Sequence, residues 1–291
     1  MIKTKQTIKC MHCKKSNYIK KGLRKTQNRG NIQKYKCLEC GKYFTNDEGF
    51  YRMGNSESKI TSAIDLYFSN LSSRKVRNYF RRHLEHNSSH VTVLDWARRY
   101  TLKVNNYVDK LQPELSGKVY ADETMIDCKK RKDRFWVGVD WDTRFITGTH
   151  YSLSGNIEEA KTFLSKIKNK NMPKFIQTDS AHFYKKAFKT VFYSNQGNRE
   201  EQPKHIINNV HKTGKHNVRI ETVFMKIKDR VDDFRGLKAL WSAPILLQGI
   251  VLQHNLIEEH TTTGKIPSEL AGLNLNVGQN RWLGLIKLAS S

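Results

Sequence analysis

Three acids and one lysine supply the side-chain types that phosphoryl-transfer chemistry uses. Asp122 lies in Val119-Tyr-Ala-Asp122-Glu-Thr124, Asp179 closes Ile176-Gln-Thr-Asp179, and Glu221 stands alone further on. Each Asp sits at or near the end of a β-rich run, whereas Glu221 sits in a helix-like run with Lys228 seven positions later. Seven positions on a helix return to the same face, so Lys228 is placed to grip a phosphate beside Glu221. Carboxylates about 4 Å apart repel by roughly 4 kcal/mol at an effective dielectric near 20, so such a cluster needs cations. Hard oxygen ligands favour Mg2+ or Mn2+. Two such ions can activate a water or a 3′-hydroxyl and stabilise the leaving oxygen.

A second constellation is Cys10-x-x-Cys13 and Cys37-x-x-Cys40, two knuckles separated by 23 residues. Each knuckle puts two thiolates on one tight turn, and two knuckles complete a four-cysteine Zn2+ site. A 50-residue segment with few apolar side chains has little core, so one structural zinc would supply most of its stability, on the order of 10 kcal/mol. His12 reads as a bystander in its turn, and Cys128 as an unrelated thiol.

The elements around these residues follow from hydrophobic period. Lys118 to Ile126, Arg134 to Trp141 and Phe145 to Ser152 read as three hairpin-connected strands, with Trp136 and Trp141 expected in the core. Ile157 to Ile167 has a helical pattern, Lys174 to Thr178 is a short strand, and a further helix carries Tyr184, Ala187, Phe188 and Val191. Another strand and a helix from about Asn217 to Asp232 complete the series. This is the element order of an RNase H-like domain, in which the first and fourth strands are neighbours. Asp122 and Asp179 are then expected face to face, with Glu221 arriving from a helix over the sheet. Asp127, Asp140 and Asp142 are rival acids in the hairpins, and Glu123 points to the other side of its strand.

Residues 56–110 contain three helical runs, the last preceded by Asn87-Ser88-Ser89 as candidate N-caps. They read as a helix-turn-helix segment. His90, Thr92 and Arg98 are expected at the major groove, and Arg74, Lys75, Arg77, Arg81, Arg82 and Arg99 at phosphates. The chain has 291 residues and a net charge of +25. The excess is concentrated at the front: residues 1–110 hold 24 Lys+Arg against 8 Asp+Glu. That imbalance points to phosphate-rich partners. The uncharged run from Ala239 to Ile257 contains Pro244, Gln248, Gln253, His254 and Asn255, which makes it a buried helix and argues against membrane association. The start has no apolar stretch of the secretory kind, and paired cysteines suit a reducing compartment. A cytoplasmic, nucleoid-associated protein is expected.

The chain resembles prokaryotic insertion-sequence transposases of the DDE class, in particular the group with an Asp-Glu-Thr first motif that joins replicons into cointegrates. The resemblance runs from the zinc knuckles to about residue 260. It rests on Tyr120-Ala-Asp122-Glu-Thr, Phe135-Trp-Val-Gly-Val-Asp-Trp, Glu159-Ala-Lys-Thr-Phe-Leu164, Ile176-Gln-Thr-Asp179, Asn217-Val-Arg-Ile-Glu221 and Phe234-Arg-Gly-Leu-Lys238. It implies an α/β fold: an RNase H-like catalytic domain with a mixed five-stranded sheet flanked by helices, preceded by a small zinc ribbon and a helix-turn-helix segment. The expected divisions are a zinc ribbon at 1–50, a helix-turn-helix segment at 56–110, a catalytic domain at 117–260 and a C-terminal tail at 261–291. The stretch Gln196 to Lys215 is expected to be a small insertion with its own DNA or dimer contacts. The resemblance further implies that Asp122, Asp179 and Glu221 bind two Mg2+ ions with Lys228 beside them. The partners it implies are double-stranded DNA, both as terminal inverted repeats and as target, and further copies of the chain in a homodimer or higher multimer. Two other readings fit the same residues: a DNA-binding regulator with an inactive RNase H-like body, and a stand-alone nuclease or resolvase.

Overall fold

The computed structural model describes residues 8–26, 29–46, 48–84, 88–193, 202–208 and 218–290. Asn87, Asn217 and most of the stretch from Gln196 to Lys215 lie outside the described residues.

The first strands, β1 (Tyr18–Thr26), β2 (Gly30–Cys37) and β3 (Tyr43–Thr45), form an antiparallel three-stranded sheet. Its small core is a trio of rings, Tyr18, Tyr35 and Phe44, packed beside the cysteines. Three helices follow: α1 (Glu57–Phe68), α2 (Ser73–His83) and α3 (His90–Val108). Each starts where a serine side chain, Ser56, Ser72 or Ser89, accepts from the amide three residues on. Such a cap satisfies one of the donors that a helix start leaves without a partner.

Strands β4 (Lys118–Cys128), β5 (Arg131–Asp140) and β6 (Ile146–Ser152) form the expected hairpin series. Helix α4 (Ile157–Lys170), β7 (Phe175–Thr178), α5 (His182–Phe192) and β8 (Lys204–Ile207) come next. The sheet order is β6-β5-β4-β7-β8, with β4–β7 and β7–β8 parallel and the other pairs antiparallel. The strand β8 thus occupies part of the stretch read as an insertion. The remaining helices are α6 (Val218–Asp233), α7 (Ala243–Leu256), the single turn α8 (Pro267–Leu270) and α9 (Arg281–Leu288).

Strand alternation sorts the side chains between two cores. Val119, Ala121 and Trp136 meet α4 and α5 on one face of the sheet. Ile126, Phe135, Val137 and Val139 meet α6 and α7 on the other. Gly138 pairs with Gly148 across β5 and β6. A Cβ at either position would come within 3 Å of Ile167, so the two glycines let α4 lie against the sheet.

The second core continues without a break into α1, α2, α3 and α9. The segment from Thr261 onward returns to this shared interior, where Trp282 stacks on Phe68. The uncharged run from Ala239 centres on α7, which is buried nearly all round. No helix among the described residues is long and apolar enough to cross a membrane.

Candidate active site

The register of the parallel pair places the first two acids. Lys118 lies beside Phe175, Val119 beside Ile176 and Tyr120 beside Gln177. Two further steps bring Asp122 alongside Asp179, just past the end of β7. Neighbouring strands lie about 4.8 Å apart and residues in register share a face. Asp122 is on the α6 face, because Ile126 and Cys128, at even steps from it, are in the core beneath α6 and α7. Helix α6 crosses that face of β4, with Ile220, Val223, Ile227 and Val231 buried against it. Glu221 and Lys228 both lie on the exposed side of α6.

Asp122 registers this company electrostatically. Burial raises its pKa, one hydrogen bond from the Glu123 amide opposes the rise, and repulsion from Glu123, Asp179 and Glu221 adds to it, to about 7. Asp179 and Glu221 thus both lie near enough to Asp122 to disfavour its charge. As a set their oxygens stand further apart than the 4.8 Å within which one ion could hold them, since only the cysteines form such a group among the described residues. The donor set nonetheless fits divalent ions. It is all oxygen, it is anionic, and at neutral pH its central carboxyl is half charged unless a cation offsets the repulsion.

The rival acids are committed elsewhere. Asp140 accepts from the Ser116 and Thr143 hydroxyls at 2.8 Å and from the Gly117 amide. Asp127 pairs with Lys132 and Asp142 with Lys118. Trp136 is fully buried as expected, but Trp141 is not core. It lies half-buried at the end of β5, with Tyr120 against its ring and the Arg219 guanidinium over it at 3.1 Å.

One participant was invisible as such in the sequence. Glu123 lies on the opposite face from Asp122, as alternation requires, and is held by two donors. Arg134 Nη1 donates to it at 2.6 Å and the Tyr184 hydroxyl at 2.8 Å. Burial, then repulsion from Asp179, raises its pKa against the pull of Tyr184 and Arg134. The signal was the hairpin register: Glu123 faces Trp136, so Arg134, two residues away, is its diagonal neighbour on the same face.

The cysteines form a compact cluster. All four sulfurs lie within 4.8 Å of one another, with Cys10–Cys40 at 3.7 Å and Cys13–Cys37 at 3.5 Å. A tetrahedron with 2.3 Å zinc–sulfur bonds has edges of about 3.8 Å, so the cluster has the right size. Burial opposes ionisation of Cys10, but the Cys13 and His12 amides and the neighbouring thiols outweigh it and bring its pKa to about 6. His12 sits to one side, its Nε2 3.4 Å from the Tyr43 carbonyl oxygen. Cys128 is a buried core thiol.

In the helical segment the candidate DNA contacts separate into two groups. Arg74, Lys75, Arg81, Arg82 and Arg99 are exposed, and His90, Thr92 and Arg77 are half-exposed. Arg98 does not project toward solvent as a groove contact would. Its Nε donates to the Ser242 hydroxyl at 2.7 Å and its guanidinium lies over Trp241, so α7's leading end has captured it.

A five-stranded sheet in this order, with two neighbouring strands and a crossing helix delivering acids to one side, defines a nucleic-acid-processing enzyme of the RNase H-like class. Residues 116–260 match the family model described as a DDE domain, of the IS240 transposase type. These residues form a DDE domain of the transposase family. No match is found among curated proteins. Among solved structures it is similar to the HTLV-2 integrase catalytic core domain in complex with magnesium, at 17% identity and a TM-score of 0.38, covering 55% of this chain and 98% of that one. It is also similar to a chain of the simian T-cell lymphotropic virus intasome in complex with the PP2A regulatory subunit B56 gamma, at 14% identity and a TM-score of 0.40, covering 74% and 72%. A third is the catalytic core domain of BIV integrase, at 12% identity and a TM-score of 0.37, covering 52% and 92%.

Proposed function

We propose that the protein is a DNA transposase that binds the terminal inverted repeats of its own element, cuts at their 3′ ends and joins them to target DNA. The observation that carries this reading is the β4–β7 register, which sets Asp122 beside Asp179 under the helix bearing Glu221. These three carboxylates would hold two Mg2+ or Mn2+ ions. When bound, such ions supply an activated oxygen nucleophile and stabilise the leaving oxygen. Asp122, on sheet backbone, and Asp179, just past the end of its strand, orient the site, while Glu221 closes it from the helix. Lys228, about two turns below Glu221 on the same exposed stripe, neutralises a phosphate oxygen next to the scissile bond. No covalent protein–DNA step is required, so no serine or tyrosine nucleophile is assigned.

The four cysteines would hold one Zn2+ and stiffen the N-terminal sheet for DNA contact. The helical segment would read the repeat through His90 and Thr92, with Arg74, Lys75, Arg77 and Arg99 on phosphates. Arg98, tied to Ser242, acts within the fold and leaves base contact to the first turn of α3. The domain limits follow the same division, at 1–50, 56–110 and 117–260, with 261–291 completing the core. Bringing two element ends together calls for a dimer or larger assembly acting on the nucleoid in the cytoplasm.

The test is Asp122→Asn with Mg2+ and a duplex ending at the element terminus. We expect end cleavage and strand transfer to be lost while duplex binding is kept. Strand transfer at the wild-type rate would remove Asp122 from the site.

A further inference from the structure

Beyond the carboxylates, one large groove of about 800 Å³ runs between the start of α2 and the turn joining α6 to α7. Its cations come from three places: Arg74, Lys75 and Arg77 on α2, Arg98 on α3, and Arg235 and Lys238 on the turn. Only two acids, Asp232 and Asp233, line it. Among the described residues Arg74, Lys75 and Arg235 form no ion pair, so this charge is not neutralised within the fold. Trp241, 65% exposed, lies against Arg98, one of the lining cations.

The turn is built to a fixed shape. Arg235 and Gly236 both have left-handed backbones, at φ 57° and 73°. A non-glycine residue in that region is uncommon and persists where its surroundings impose it. The surroundings here are specific. The Leu237 amide donates to the Asp127 carbonyl at 3.0 Å, and the Lys129 amide donates to the Leu237 carbonyl at 2.8 Å. Phe234 stacks flat on Tyr67 of α1, ring centroids 4.5 Å apart. The turn is therefore riveted both to the far end of β4, the strand that carries Asp122, and to the helical segment.

We propose that this groove grips the phosphate backbone of the same duplex whose end lies at Asp122, with Arg235 and Lys238 as its phosphate contacts. The proposal rests on the transposase reading and adds to it a second point of attachment. Charge complementarity selects a polyanion. Continuity with α2 and α3, which we assign to repeat binding, selects the element end over the target. Six strand steps separate Asp122 from Cys128, which bridges to Leu237, or about 20 Å at the usual rise per residue. Duplex DNA advances about 3.4 Å per base pair, so the gripped phosphates lie about 6 base pairs from the cut.

The experiment compares wild type with Arg235→Ala/Lys238→Ala in the full chain. The probes are a labelled duplex made from the DNA flanking the gene and the same duplex with its sequence scrambled. We expect the double variant to bind the flanking duplex at least about tenfold more weakly and to lower the slope of log affinity against log salt by about 2, one phosphate per side chain. Hydroxyl-radical protection should vanish about 6 base pairs from the cut and persist elsewhere. Arg235→Lys/Lys238→Arg, which keeps both charges, should restore slope and protection. If the double variant fails to fold, Lys238→Gln at its exposed position should still lower the slope by about 1. A wild-type slope and footprint in these variants, in a protein that still cuts the flanking duplex, overturns the groove alone. So does a loss confined to the scrambled duplex, which would make the groove a target site. A wild-type protein that neither binds nor cuts the flanking duplex overturns both this inference and the transposase reading.

Discussion

Asp122 carries its charge against burial and against three neighbouring carboxylates, and its pKa of about 7 expresses that opposition. A folded-state pKa raised from the usual 3.8 means that folding favours the protonated form. Stability without metal is then fullest below the usual carboxylate pKa and declines as pH rises through about 7. A divalent cation reverses the decline by binding the charged form. We expect Mg2+ or Mn2+ to raise the melting temperature more above pH 7 than below it, read by differential scanning fluorimetry. Asp122→Asn should abolish the pH dependence of that gain. Equal gains on both sides of pH 7 would mean that the ion does not compete with a proton at this carboxyl.

At the scale of elements, two packings decide whether the acids meet. One is the β4–β7 register, in which a slip of a single residue would turn Asp122 or Asp179 to the opposite face. The other is the seating of α6, which is held from behind by polar groups. Arg230 donates to Asn70 at 2.8 Å and pairs with Glu258. Gln253 on α7 donates to Asp65 of α1 and to Ser69, and accepts from Trp282 of α9. Such a buried network stabilises only while every member keeps its partner. Close contact between α7 and α1 also depends on Gly249, where a Cβ would lie 2.1 Å from the Phe68 ring. Gly249→Ala should therefore cost about 1–3 kcal/mol in chemical denaturation, although alanine has the higher helix propensity. An unchanged or raised midpoint would show that Phe68 has room to move aside.

Over the whole molecule, the cysteine-bearing ribbon and a body with its own large core meet, among the described residues, through contacts of a few named side chains. Arg29 pairs with Glu57 and donates to the Phe50 carbonyl, Phe50 packs on Tyr100, and Lys287 pairs with Glu48. Withdrawal of a bound metal should unfold the ribbon and leave the body intact, because the ribbon's apolar core is small: three rings and the cysteines, with Ile8 and Met11 partly buried against them. With a strong chelator we expect the four clustered thiols to become reactive to a thiol reagent. Cys128, fully buried in the body, should stay protected. Simultaneous exposure of all five would show that ribbon and body melt as one unit.

Most of the fold was legible because its signals are local. Alternation over Lys118 to Ile126 and helical spacing over Ile157 to Ile167 each depend on a few neighbouring residues. The knuckle spacing likewise marked the four cysteines that cluster, and the order of strands and helices gave the expectation that Asp122, Asp179 and Glu221 share a site. What the chain could not announce was partner choice across long separations. Arg98 reads as an outward cation on an amphipathic helix, yet Ser242, 144 positions away, claims it. Trp141 reads as core, and Arg219 makes it a surface platform instead. The C-terminal segment reads as a less regular tail whose stretch from Arg281 to Ile286 can pack back on the body, without showing against what; Trp282 meets Phe68. Periodicity records which side of an element is apolar; which surface it meets, and which cations remain for phosphate, is settled only when the elements compete for the same space.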